Sequence, residues 1–128
     1  MAAALKNILI EQGATFQWDL QFLDGKGISA PALDLSGYEF RMHIRSAIDS
    51  PSMLVALSSA PAGGITILPQ LDADLGWISI RIEAAATAAL AAVDFEAAVY
   101  DLEMVEPDGF VLRAFKGAVS LSLEVTRT

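Results

Sequence analysis

Alternation with a period of two is the feature that most restricts what this chain can fold into. Between residues 15 and 23, Phe16, Trp18, Leu20 and Phe22 fall on one side of an extended backbone, and Gln17, Asp19 and Gln21 on the other. Tyr38, Phe40, Met42 and Ile44 alternate in the same way with Glu39, Arg41, His43 and Arg45. The pattern returns with Ile78, Ile80 and Ile82 against Ser79 and Arg81, and with Ala98, Tyr100, Leu102 and Met104 against Asp101 and Glu103. It closes with Val119, Leu121, Leu123 and Val125 against Ser120, Ser122 and Glu124. A strand puts successive side chains on opposite faces, so each segment reads as a half-buried strand of an antiparallel sheet.

Turn chemistry falls between these segments. Asp24-Gly25-Lys26-Gly27, Ser36-Gly37, Gly63-Gly64, Leu75-Gly76 and Pro107-Asp108-Gly109 mark the breaks, the last as a tight hairpin. Residues 6–10 and 110–115 add shorter strands, with Lys116-Gly117 expected as a bulge or bend joining the last two strand segments. Residues 30–33 and 46–52 read as loops, and residues 53–57 as an edge strand or an ordered loop. The alanine-rich stretch 83–90 is the exception to the alternation and predicts a short helical turn between two strands. About seven to nine short strands fit an all-β, two-sheet antiparallel β-sandwich, with a small closed barrel as the alternative. At 128 residues the chain is expected to form a single domain, 1–128.

Composition narrows the chemistry. Sixteen Asp and Glu against eight Lys and Arg give a formal charge of −8, and the basic residues are scattered along the sequence, so no nucleic-acid partner is expected. There is no cysteine, which excludes disulfides, thiol catalysis and thiolate metal sites. No run reaches the ~20 apolar residues of a membrane helix, and the N-terminus lacks the pattern of a secretory signal, so no membrane partner is expected. Yet 54% of the residues are hydrophobic and mean hydropathy is +0.47. That excess points to surface covered by a partner.

Candidate chemical residues are few. His43, the one histidine, lies between Arg41 and Arg45 on the polar side of its strand, where the guanidinium groups repel a metal cation. Asp72 and Asp74 are spaced to share a Ca²⁺ ion, but the further acidic positions of a calcium loop are missing. Asp101 and Glu103 share a strand face, as paired glycosidase carboxylates can, without aromatic residues clustered beside them. Ser58-Ser59 has no nucleophile-elbow context, and the glycine pairs open no phosphate-binding helix. No enzyme, no cofactor and no metal site is therefore expected. Apolar residues on a polar face or in a loop, namely Met53, Leu54, Val55, Trp77 and Val99, are the candidate interface.

The order of several short motifs resembles a known family. Ile10-Glu11-Gln12-Gly13-Ala14-Thr15-Phe16, Leu33-Asp34-Leu35-Ser36-Gly37-Tyr38, Gly64-Ile65-Thr66-Ile67 and Gly76-Trp77-Ile78-Ser79-Ile80 come first. Thr87-Ala88-Ala89-Leu90, Val99-Tyr100-Asp101-Leu102-Glu103, Pro107-Asp108-Gly109, Gly117 and Glu124-Val125-Thr126-Arg127 complete the series. It looks like the small structural proteins of tailed bacteriophages and prophages, and like the N-terminal domain of phage upper-baseplate proteins. The resemblance covers nearly the whole chain. It departs at Ala91-Ala92-Val93-Asp94-Phe95, which lacks a glycine often found there, and at the C-terminus, where fibre proteins of this kind continue into a shaft.

The resemblance implies an immunoglobulin-like β-sandwich that docks fibres or neighbouring subunits at the tail, baseplate or neck of a virion. Its partners would be other virion proteins and further copies of itself, in a homo-oligomer. It would be made in the bacterial cytoplasm and located in the virion. The competing reading is a carbohydrate- or ligand-binding β-sandwich module. Trp77 is its one obvious stacking platform, because the other aromatic residues fall on core faces.

Overall fold

The computed structural model describes residues 3–25 and 29–126. Lys26 and Gly27 of the first expected turn, and Arg127 of the closing motif, lie outside the described residues. The described residues form nine strands and one short helix: β1 (Ala4–Leu5), β2 (Ile8–Glu11), β3 (Phe16–Gln21), β4 (Glu39–Arg45), β5 (Val55–Ser58), β6 (Ile65–Ile67), β7 (Trp77–Ile82), α1 (Ala84–Ala88), β8 (Val99–Val105) and β9 (Val111–Ser122). Single 3₁₀ turns follow at Asp72–Asp74 and Ala92–Phe95.

Two sheets pack face to face. One runs β1-β9-β8-β4-β5, with β2 also paired to β9, and the other runs β3-β7-β6. With β1 and β2 taken as one interrupted strand, the order is immunoglobulin-like, with the first strand placed beside the last and an added strand beside the third. The expected all-β sandwich is observed. Its strand pairs are antiparallel, except that β1 and β2 both run parallel to β9.

The alternation is realised as burial. Phe40, Met42 and Ile44 of β4, Ile78, Ile80 and Ile82 of β7, and Tyr100, Leu102 and Met104 of β8 are all buried. Aromatic rings join the two layers: Trp18 of β3 meets Tyr100 at 6.1 Å and Phe115 at 5.4 Å, both edge-on, and Phe22 lies 5.3 Å from Phe40. Such edge-to-face pairs add roughly 0.5–1.5 kcal/mol each to the burial of their apolar area.

The N-terminal edge is interrupted for a local reason. Residues 6 and 7 break the expected strand at 6–10. There the Lys6 carbonyl accepts a hydrogen bond of 2.5 Å from the Tyr100 hydroxyl, and the Asn7 side chain accepts one of 3.0 Å from the Ala118 N–H. Gly117 lies directly opposite Tyr100, and a β-carbon on it would strike the Lys6 carbonyl. Gly117 therefore permits a close backbone approach and is not the expected bulge.

The bulge lies nearer the hairpin. Leu102 pairs with Phe115 and Glu103 with Arg113, so Ala114 is the extra residue in β9. The expected pair of strands at 110–115 and 119–125 is accordingly one long strand with an internal shift. β5 is an edge strand, as one of the two readings of residues 53–57 held.

Candidate functional site

The bulge at Ala114 shapes a groove on the outer face of the six-stranded sheet. Arg113 and Lys116 are three residues apart, which in a regular strand would place them on opposite faces. The extra residue between them turns both outward: Arg113 faces Glu103, and Lys116 faces Asp101. On the far side of β8, Glu103 faces Arg41 and Asp101 faces His43. The outer face of the six-stranded sheet thus carries two charged rows, Arg41-Glu103-Arg113 and His43-Asp101-Lys116. A third row, Arg45-Val99-Ala118, is more apolar.

These rows floor a shallow groove of about 620 Å³. Two exposed apolar side chains line it as well. Leu5 of β1 is 74% exposed, and Ile48 of the loop after β4 is 88% exposed. Arg41 Nε donates to Glu103 Oε1 at 2.6 Å, and Arg113 Nε lies 3.4 Å from Asp101 Oδ2. Arg45 donates to the Ser50 carbonyl at 3.0 Å, which ties the Ile48 loop to the groove. Among the described residues, no carboxylate lies within ion-pair distance of Arg45 or Lys116. Four cations against two carboxylates leave the groove with two net positive charges. The chain as a whole carries −8, so there are ten net negative charges elsewhere. The basic residues that look scattered in sequence are half gathered here by strand pairing.

A second, smaller depression of about 330 Å³ involves the outer face of the three-stranded sheet. Trp77, Ser79, Gln17 and Asp19 line it, with Leu68 and Asp74 from the segment before β7. Gln17 Nε2 donates to both oxygens of Asp19 at 3.3 Å, which holds the carboxylate on this surface. Its charged lining residues are both acidic.

The expected interface residues do not form one patch. Val99 lies in the basic groove, and Trp77 lies half-buried on the opposite sheet. Met53 is exposed beside the edge strand β5. Leu54 and Val55 pack against the core, Val55 opposite Ile44, so their apolar character is explained without a partner. Asp72 and Asp74 sit exposed on a 3₁₀ turn. No cluster of three or more His, Asp or Glu side chains able to hold a metal ion forms among the described residues. The Ser58 and Ser59 hydroxyls accept hydrogen bonds from the N–H groups of Ala60 and Phe40, so that Ser58 at the end of β5 and Ser59 just after it are engaged with nearby backbone. No helix among the described residues is long and apolar enough to cross a membrane.

Three of the motifs behind the family resemblance meet at one end of the sandwich. The Gln12 side chain donates to the Leu90 carbonyl at 2.9 Å and accepts from the Glu124 N–H at 3.0 Å. The Thr87 hydroxyl, fully buried, accepts from the Gly13 N–H at 3.0 Å and donates to the Ala14 carbonyl at 2.8 Å. Gly13 has φ +82°, and a β-carbon there would fall on the Glu124 carboxylate. These residues clamp α1, the β2–β3 turn and the end of β9 together. Their role is to hold the fold, and they stand apart from the groove residues.

The sequence matches no protein-family model and no curated protein.

Proposed function

We propose that this chain is a non-catalytic structural module of a tailed-phage virion, an adaptor that docks neighbouring subunits at the tail, baseplate or neck. The observation that carries the docking part is the groove on the outer face of the six-stranded sheet. It combines guanidinium groups, an uncompensated lysine and exposed Leu5 and Ile48 in an otherwise acidic protein. Arginine and exposed apolar side chains are the groups that anchor protein interfaces, and a locally basic surface selects and orients an acidic partner. The virion part rests on the motif resemblance, and the clamp at Gln12, Thr87 and Glu124 supplies a structural reason for that motif order.

Both groove carboxylates are held by arginines, an arrangement suited to a charged docking surface. The carbohydrate-module alternative rests on Trp77 beside Gln17 and Asp19. Antibody labelling of tailed particles purified from the source culture tests the proposal. Label at one discrete position on each particle is expected. Particles without label, in a culture that makes the protein, would overturn the virion assignment.

A further inference from the structure

The two outer faces of the sandwich are unlike, and their differences are complementary. One face carries the basic groove with Arg45, Arg113 and Lys116, flanked by the exposed side chains Leu5 and Ile48. The other carries the acidic depression with Asp19 and Asp74 around the half-buried indole of Trp77. Leu71, 70% exposed, adjoins the same acidic turn. Each depression thus carries net charge of one sign together with apolar surface: four cations against Asp101 and Glu103 in the groove, and Asp19 and Asp74 around Trp77. Neither is complementary to itself, because like charges would meet like across a two-fold axis.

We propose that the occupant of the basic groove is a second copy of this chain, which presents its Trp77 face head to tail. The proposal rests on reading the groove as a docking surface and names its partner. The charges that meet are opposite in sign: Arg45, Arg113 and Lys116 on one copy, Asp19 and Asp74 on the next. Trp77 supplies the kind of aromatic anchor on which interface energy concentrates. The overall charge of −8 makes two copies repel at long range. At physiological ionic strength that repulsion is screened beyond about 8 Å, so the charges in direct contact decide the outcome. A contact between two different faces leaves one face open at each end. Successive copies therefore add in one direction and close into a ring where the rotation between them permits.

The test uses two double variants of exposed residues, R113E/K116E on the basic face and D19K/D74K on the acidic face. Circular dichroism and thermal melting establish that each is folded. Light scattering across a hundredfold concentration range reads the mass. Wild-type protein is expected to associate at moderate salt and to dissociate at about 1 M salt, where the screening length falls to about 3 Å. Each variant alone is expected to be at least tenfold weaker in self-association. Mixed in equal amounts they are expected to regain association, because the untouched acidic face of one meets the untouched basic face of the other and the two reversed faces are again opposite in sign.

A wild-type monomer at every concentration would overturn the proposal, as would a mixture that stays monomeric. A monomer whose groove instead binds polyglutamate would also overturn it, and would make the groove a site for a foreign acidic partner. Particle labelling is independent of this result. A labelled virion containing a protein that is monomeric in solution would leave the adaptor assignment standing and remove only the self-partner.

Discussion

Replacing Thr87 by valine removes one oxygen from the interior and keeps the volume nearly constant. That oxygen accepts from the Gly13 N–H at 3.0 Å, donates to the Ala14 carbonyl at 2.8 Å, and lies 3.1 Å from the Ala84 carbonyl. The valine variant therefore strands a donor and an acceptor in the turn between β2 and β3. A stranded buried polar group costs roughly 1–3 kcal/mol. Gly13 is half-buried and Ala14 exposed, so water reaches part of this turn. The expected loss is then about 2 kcal/mol. Thr87→Ser keeps the oxygen and removes one methyl, for a loss of about 0.8 kcal/mol.

Urea unfolding of the three proteins measures these differences as shifts of midpoint at constant slope. The expected order of stability is wild type, then serine, then valine. Apolar burial alone predicts the opposite order for the two variants. A valine variant as stable as wild type, or more stable than the serine variant, would refute the clamp.

Further outcomes follow from the same geometry. Tyr100→Phe loses the hydrogen bond to the Lys6 carbonyl and should cost about 1 kcal/mol, whereas Tyr100→Ala opens the aromatic core and should cost about 3–5 kcal/mol; urea midpoints separate the two. Burial pushes the Tyr100 phenol up to about 12 from its ordinary value of 10.0. The neutral form is thereby favoured in the folded state, so its contribution to stability is complete below pH 10 and is lost as pH rises through about 12; phenolate absorbance and unfolding midpoints across that window read the effect. Gly117→Ala places a β-carbon against the Lys6 carbonyl and should destabilise by about 1–3 kcal/mol, with accelerated amide exchange in β1 and β2. His43→Ala, on the outer face of β4, should change stability by no more than about 0.5 kcal/mol in a thermal melt.

The strands were legible because their side chains alternate. Phe16 to Phe22, Tyr38 to Ile44 and Ala98 to Met104 each carry a complete apolar face that only an extended backbone separates from the polar one. Partner choice leaves no such trace. Nothing in the period of Ile8 and Ile10 says that β2 runs parallel to β9, and the turn at Gly13 that allows it looks like any other glycine turn. The bulge was misplaced to Lys116-Gly117 because glycine is a common bulge residue. Ala114, which provides it, has no local signature.

The same blindness hid the basic groove. Arg41, Arg45, Arg113 and Lys116 are spread over two distant segments, and the last two differ in parity. Only the order β9-β8-β4 and the extra residue at Ala114 bring them together. The parity of Val99 with Asp101 and Glu103 was the one available signal, and it does point into this groove. Leu54 and Val55 show the converse, since at the sheet edge both are partly buried against the core, a packing that their place in the sequence does not reveal.

The central claim is that the outer face of the six-stranded sheet is a docking surface. A reconstruction of the assembled tailed particle at side-chain detail tests it most directly, by showing which surface of the sandwich its neighbours cover. The account predicts that Val99, Arg113 and Lys116 are buried there against acidic side chains of an adjoining subunit. Finding the chain in the particle with this face open to solvent, and its contacts made elsewhere, would contradict it.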